Sequence, residues 1–348
     1  MELQLSESNI LGTVLAFILS LFLVPLAAAY SKKNGLMDEP GGRKIHTHPT
    51  SRLGGAAVWM SAAIVFACVL LLAHYPHRKL LSGLMLGSSL MFLLGLIDDI
   101  YNLSAKFKFV VQISAASIAF CLGIKISALF IPFFGLIELP AAVSYIITIG
   151  WITGISNAVN FIDGLDGLAG SVIALSSAAL GIAAALSGNS AGSLAAFILT
   201  GSILGFLAYN FYPAKIFMGD SGALFSGFIL AALSIMHQMK ANDMSMYLPV
   251  LILAAPILDI TYSSLRRIFK GISPFTADAG HIHHRLIKAG LSQNQTVLII
   301  SVFSAAAGAA AVFLTDMSAV KYFIYAIVLS SVMIILNRFA KYERKNIE

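Results

Sequence analysis

Charge is what this sequence has least of. Only 11% of its 348 residues are charged, against 58% hydrophobic. So little polar surface excludes a water-soluble globule and leaves lipid as the solvent. Alternating polar and apolar strands are also missing, which removes the signature of a membrane barrel and leaves helices to satisfy the backbone in hydrocarbon. Cysteine is scarce. Cys68 and Cys121 both lie inside apolar runs, so a disulfide framework and a thiolate metal centre are excluded, and a small hydrophobic packing role is expected. Basic residues are absent ahead of the first apolar run, where Glu2 and Glu7 stand instead. A cleaved signal peptide wants a basic start, so a retained first helix with its N-terminus outside is expected. No Gly/Ser linker, low-complexity tract or internal repeat divides the chain, which reads as one integral membrane domain, 1–348.

What is present is a series of long apolar runs, near residues 10–30, 53–74, 80–97, 107–124, 140–158, 168–187, 191–211, 221–238, 246–265, 296–314 and 320–337. Most approach the roughly 20 residues that cross a bilayer core. The expected fold is an all-α, polytopic bundle of about eleven spans with a cytoplasmic C-terminus. The run 128–139, broken by Pro132, is too short to span and reads as an interfacial or re-entrant piece. In this topology 17 of the 22 Lys and Arg residues fall on the inner side, as the positive-inside rule requires. The formal charge of +6 then suits anionic headgroups and phosphorylated ligands, and implies no nucleic acid.

The acids follow the same asymmetry. Asp98, Asp99, Asp163, Asp166, Asp220 and Asp278 all fall in inner loops or helix ends, beside His46, His281, His283 and His284. The expected working loops are about 31–52, 98–106, 157–167, 211–220 and 266–295. Adjacent Asp98 and Asp99 suit a hard cation that keeps phosphate and water as ligands, and Lys106 and Lys108 behind them suit phosphate oxygens; solvated loop acids are the plain alternative. The stretch NAVNFIDGLDGLAG, 157–170, places Asn157 three residues before Asn160 and Asp163 three before Asp166, so helical stretches would show each pair on one face. Helix capping needs one such residue, not four. In FMGDSG, 217–222, Asp220 stands at a helix entrance as a cap or a metal ligand. In HIHHRL, 281–286, three imidazoles and Arg285 suit phosphate better than zinc, because no cysteine accompanies them.

These segments, in this order and on one membrane face, resemble the polyprenyl-phosphate N-acetylhexosamine-1-phosphate transferase family. The resemblance covers the chain from about Lys32 to Leu286, and the HIHHRL form is similar to the branch that uses UDP-N-acetylglucosamine. It implies an enzyme that moves N-acetylglucosamine 1-phosphate from UDP-N-acetylglucosamine to undecaprenyl phosphate, releasing UMP and starting a teichoic acid or another glycan. It implies Mg²⁺, with Mn²⁺ as an alternative, on Asp220 with Asn160 nearby. Phe217 would stack on uracil, and Asn210, Asp163 and Asp166 would line the nucleoside pocket beside Asn157. Lys106, His281, His283, His284 and Arg285 would hold phosphates, and Asp98 with Asp99 would meet the lipid phosphate or the metal. His46 and Arg52 match the family pattern of the first inner loop.

Two alternatives stay open: the same chemistry on another UDP-sugar, including a muramoyl-pentapeptide donor, and a nucleotide-sugar or lipid-linked-sugar transporter. Transporters place their sites near the midplane on interrupted helices, and Asp259 is the one acid expected inside a span. Gly201 and Gly205 form a small-xxx-small pattern that serves internal packing or a homodimer contact.

Overall fold

The computed structural model describes residues 7–39, 49–72, 78–131, 134–239, 244–269, 271, 280–313 and 331. Arg43, Lys44, His46, Asp278 and nearly all of the expected eleventh span lie outside the described residues. Within them the chain forms twelve α-helices, and eight of these are long and apolar enough to cross a membrane. The protein is a polytopic helical membrane protein. The eight are α1 (Glu7–Lys33), α2 (Gly54–Leu72), α3 (Arg78–Tyr101), α5 (Ala141–Ile162), α6 (Leu168–Leu186), α7 (Ser190–Asn210), α8 (Gly219–Gln238) and α12 (Gln293–Phe313). α4 (Ala105–Cys121) occupies the expected fourth span with 17 residues.

The expected ninth span is broken, and proline explains the break. A 3₁₀ turn (Met244–Tyr247) leads into α9 (Leu248–Ile252), and α10 (Ala254–Ile268) starts afresh. Pro256 has no amide to give to the carbonyl of Ile252, four residues back. The Ser176 hydroxyl reaches that carbonyl instead, at 3.4 Å. The short run 128–139 is also not helical. It forms an antiparallel hairpin of β3 (Ala128–Ile131) and β4 (Gly135–Glu138), with Ala128 opposite Glu138. At the other end of the bundle β1 (Met37–Asp38) pairs with β2 (Thr50–Ser51), and Ser51 bridges to Ile216.

α8 is the axis of the bundle: every residue from Ser221 to Gln238 is buried. A helix apolar on all sides belongs in the middle, and α3, α5, α2 and α6 surround it. α1 lies against α7 through the small-residue pattern. A Cβ on Gly201 would stand 2.2 Å from the Thr13 carbonyl oxygen, and one on Gly205 2.6 Å from that of Phe17. The pattern therefore serves internal packing, and its two glycines are covered by the chain's own first helix. Cys68 and Cys121 are unpaired and exposed, so they face outward instead of filling the core as expected, because α2 and α4 each turn that side away from the bundle.

The chain alternates direction from helix to helix, which brings the C-terminal ends of α1, α3, α5, α7 and α10 together with the N-terminal ends of α2, α4, α6, α8 and α12. The described parts of the polar segments singled out in the sequence sit at this one end. Substituting Gly201 by Val should lower the thermal stability of the detergent-solubilised protein by about 3 kcal/mol or more, through forced separation of α1 and α7. Gly150→Ala, where a Cβ meets nothing within 4 Å, should be neutral or stabilising by up to about 1 kcal/mol through helix propensity.

Candidate active site

The first turn of α8 is the foundation of the site. Its leading amides lack intrahelical partners, as at any helix start, and no side chain of its own N-cap, Met218, serves them. Asp99 of α3 does so: its two carboxylate oxygens accept from the amides of Asp220, at 3.0 Å, and Ser221, at 3.1 Å. This is possible because Gly95, one turn earlier on the same face of α3, lets the two helices nearly touch. A Cβ there would lie 2.4 Å from the Asp220 backbone. The expected capping role thus belongs to Asp99, and the Asp220 side chain is left for other work.

Asp220 sits among polar neighbours from three helices. Asn160 of α5 donates to one of its oxygens at 3.0 Å. Lys108 of α4 stands 3.7 Å from the other. The carboxyl group of Asp98 is hydrogen-bonded to it as well. Asp98 itself is buried, accepting from the Leu103 amide at 2.7 Å and from the Lys108 ammonium at 2.8 Å. Those two bonds close the turn between α3 and α4 and bring Lys108 inward. Lys106 is exposed and stays off the cavity wall. On the following helix the two lysines are about 200° apart, so only one can face the acids. The lysine that the structure brings to the acids is therefore Lys108, the one the resemblance had passed over.

The loops between α5 and α6 and between α7 and α8 are stitched together by side chains named from the sequence. Asn210 accepts from the Gly167 amide at 3.0 Å and donates to the Ile216 carbonyl at 2.8 Å. Asp166 accepts from the Ala214 amide at 3.0 Å. The 216–218 segment is in turn pinned to β2 and the start of α2, through the Phe217 amide to the Ser51 carbonyl at 2.8 Å and the Gly54 amide to the Phe217 carbonyl at 3.0 Å. Arg52 is thereby carried to the rim, where it pairs with Asp38 at 2.6 Å. Asp38 is a residue that sequence reasoning missed, because a lone acid in a two-residue strand carries no pattern.

These loops enclose a cavity of about 340 Å³ lined by Asp38, Arg52, Asp99, Asp163 to Asp166, Asn210, Phe217, Gly219, Asp220, His284 and Gln293. Asp163 has its carboxyl pushed up to about 8, first by burial and then by the charges of Asp220, Asp99 and Asp166. Phe217 presents a half-exposed ring on the wall. Among the described residues no group of three His, Cys, Asp or Glu side chains forms a metal cage. The crowded carboxyls nonetheless fit a divalent hard cation that takes its other ligands from phosphate and water. Asp163 and Asp220 are the side chains that could hold one.

The histidine segment reaches the cavity from the side, on α11 (Ile282–Lys288). His284 lines it. His283 is buried against the loop, and a Cβ on Gly164 would meet its Nε2 at 2.4 Å. Burial, and then His284, hold its imidazole down to about 3, which keeps His283 neutral in the unliganded site. His281 is buried between α10 and Phe161, and Arg285 lies over the Tyr262 ring at 5.2 Å. Neither borders the cavity. Asn157 is also elsewhere: it exchanges two hydrogen bonds with Gln112 of α4, at 2.8 and 3.2 Å, and so ties α5 to α4.

Known proteins are similar to this chain over most of its length. A family model described as glycosyl transferase family 4 matches residues 81–238. The probable undecaprenyl-phosphate N-acetylglucosaminyl 1-phosphate transferase of Bacillus subtilis (strain 168) is 39% identical over 302 residues, covering 84% of this chain and 82% of that protein. The chain belongs to glycosyl transferase family 4. It is similar also to the decaprenyl-phosphate N-acetylglucosaminephosphotransferase of Mycobacterium tuberculosis (strain ATCC 25618 / H37Rv), 34% identical over 322 residues with 85% of this chain and 80% of that protein covered. The undecaprenyl-phosphate alpha-N-acetylglucosaminyl 1-phosphate transferase of Escherichia coli (strain K12) is 29% identical over 304 residues, with 84% and 82% covered. This member of the family is an enzyme, a membrane transferase, and its cavity is where Asp99, Asp163, Asp166 and Asp220 meet.

The raised carboxyl of Asp163 makes stability depend on pH. Its folded state holds the proton more tightly than the unfolded chain, whose carboxyl titrates near 3.8, so the stabilising contribution is complete below about 3.8 and is lost as pH rises through about 8. In buffer free of divalent cations, the unfolding temperature of wild type should fall relative to Asp163→Asn across that window and run parallel to it above. Parallel curves throughout would show that Asp163 titrates normally.

Proposed function

We propose that the chain transfers N-acetylglucosamine 1-phosphate from UDP-N-acetylglucosamine to undecaprenyl phosphate, releasing UMP, with Mg²⁺ at the cytoplasmic surface of the membrane. The observation that carries this reading is the convergence of Asp163 and Asp220, with Lys108 and Phe217, at one polar end of an otherwise apolar bundle. Acids without enough cations are what a metal-bound diphosphate needs, and an exposed aromatic ring beside them offers a stacking face for a base. The names of the relatives supply polyprenyl phosphate and N-acetylglucosamine as the two halves of the reaction.

In this reading a phosphate oxygen of the lipid attacks the sugar-linked phosphorus of the nucleotide sugar, and the bond from that phosphorus to the UMP oxygen breaks. Both reactants are anions already, so catalysis rests on alignment and charge compensation rather than on a strong base. Mg²⁺ on Asp220 and Asp163 would draw charge from the diphosphate oxygens. Asn160 orients Asp220, and Asp98 holds Lys108 within reach of the same charge. Asp166 and Asn210 keep the nucleoside side of the cavity in shape through the backbone, with Phe217 as its stacking wall. The cytoplasmic assignment rests on the basic residues: Lys32, Lys33, Arg52, Lys106, Lys108, Lys215, Arg266, Arg267, Arg285 and Lys288 belong to the site's end of the bundle, and Arg78, Lys79 and Lys125 to the other.

Purified protein in detergent should release UMP from UDP-N-acetylglucosamine only when undecaprenyl phosphate and Mg²⁺ are both present. A transporter would release none, having no membrane to act across. Asp220→Asn should keep the fold and lower kcat by about 100-fold or more. Lys108→Ala should cost about 10-fold or more, and Lys106→Ala should stay within about twofold, measured in the same UMP assay. Wild-type turnover by Asp220→Asn would remove the acid cluster from the chemistry.

A further inference from the structure

Among the described residues Asp259 is the one acid placed well inside a helix of the bundle, and the transfer chemistry leaves it without a task. It is 3% exposed. Both of its oxygens are engaged by the histidine segment: one accepts from the backbone amide of Ile282, the first residue of α11, at 2.7 Å, and the other meets His281 Nδ1 at 2.8 Å. Ser263, one turn further along α10, stands 3.4 Å from the same nitrogen. Burying a carboxylate is costly unless it is fully hydrogen-bonded, so this contact is a structural commitment by both elements.

The His281 ring begins a row of rings that ends in the cavity. It stacks on Phe161 of α5, with centroids 5.4 Å apart, and lies nearly parallel to His283 at 6.0 Å; His283 packs against His284 at 4.2 Å. His284 lines the cavity and His283 braces Gly164 of the loop that carries Asp163. We propose that Asp259 is a positioning residue of the transfer reaction, which fixes His281 with Nδ1 protonated and, through the stacked rings, sets the histidine segment against the Asp163 loop. A carboxylate can only accept, so a neutral His281 must place its proton on Nδ1 and leave Nε2 as its lone pair. His281 has the Asp259 carboxylate behind its ring, whereas His283 has no hydrogen-bond partner on either nitrogen among the described residues. The dyad has the form of a carboxylate that fixes the tautomer and ring orientation of its imidazole.

The inference rests on the proposed transfer activity, and Asp259→Asn tests it separately. Asparagine keeps the size of the side chain and an oxygen for the Ile282 amide, but presents an NH₂ to Nδ1, which forces the proton to Nε2. In the UMP-release assay this variant should lose about 10- to 100-fold in kcat, with KM for UDP-N-acetylglucosamine within about threefold. On a His281→Asn background, Asp259→Asn should add nothing further, because the pair acts as a unit. Unchanged kcat in a folded Asp259→Asn, or a full additional loss on the His281→Asn background, would overturn the proposal while leaving the transfer activity intact. Absence of UMP release by wild type would instead overturn the activity itself. If Asp259→Asn does not fold, nitrogen NMR of ¹⁵N-histidine-labelled wild type decides: a neutral His281 protonated on Nδ1 supports the proposal, and one protonated on Nε2 overturns it.

Discussion

The start of α8 governs the rest of the site. A helix that begins in the middle of a bundle exposes unpaired amides where water is scarce, and something must accept from them. Asp99 does this from a neighbouring helix with both oxygens. The positive end of the helix then stabilises one negative charge and gathers others around it. Asp220 is carried in the first turn of the capped helix, Asp98 precedes Asp99 on α3, and Asp163 arrives on the loop after α5. α8 is buried from Ser221 to Gln238, so the turn that carries Asp220 is anchored in the bundle core.

Gathering so many acids is costly in a protein with little charge to spend. Part of the cost is offset locally, by Lys108 on Asp98 and Asp220 and by Arg52 on Asp38. Part is not, and the proton retained by Asp163 up to about 8 is the sign of it. Under the proposed function, a pocket short of positive charge before its ligands arrive would suit a metal-bound phosphorylated substrate better than a free anion. The polar residues that do not face the cavity hold its walls: Asn210 and Asp166 join two loops, Asn157 joins two helices, and Asp259 joins α10 to α11.

Most of the chain's architecture is legible from hydropathy, since nine of the expected spans are single helices and eight of these are long and apolar enough to cross a membrane. The exceptions have local causes. Pro256 breaks the ninth run by removing one amide, and the run 128–139, too short to cross, folds back on itself as a hairpin. The clustering of Asp98, Asp99, Asp163, Asp166 and Asp220 at one end was also legible, because charge in a membrane protein is confined to helix ends. The division of labour among those residues was not. Asp99 and Asp220 both look like caps or ligands in sequence, and the difference arises only when Gly95 allows α3 to meet α8.

Lys106 and Lys108 make the same point on a smaller scale. Two lysines in one helical turn are equivalent in composition, and the direction of α4 relative to α3 selects Lys108. Asp259 was visible as an acid out of place, but its partner lies 22 residues away. The sequence alone therefore determined the solvent, the helices and the end of the bundle where chemistry is concentrated, because hydrophobicity acts along the chain. Only the tertiary structure decided which acid caps, which lysine turns inward and which histidine is anchored, because those choices depend on contacts between segments far apart in sequence.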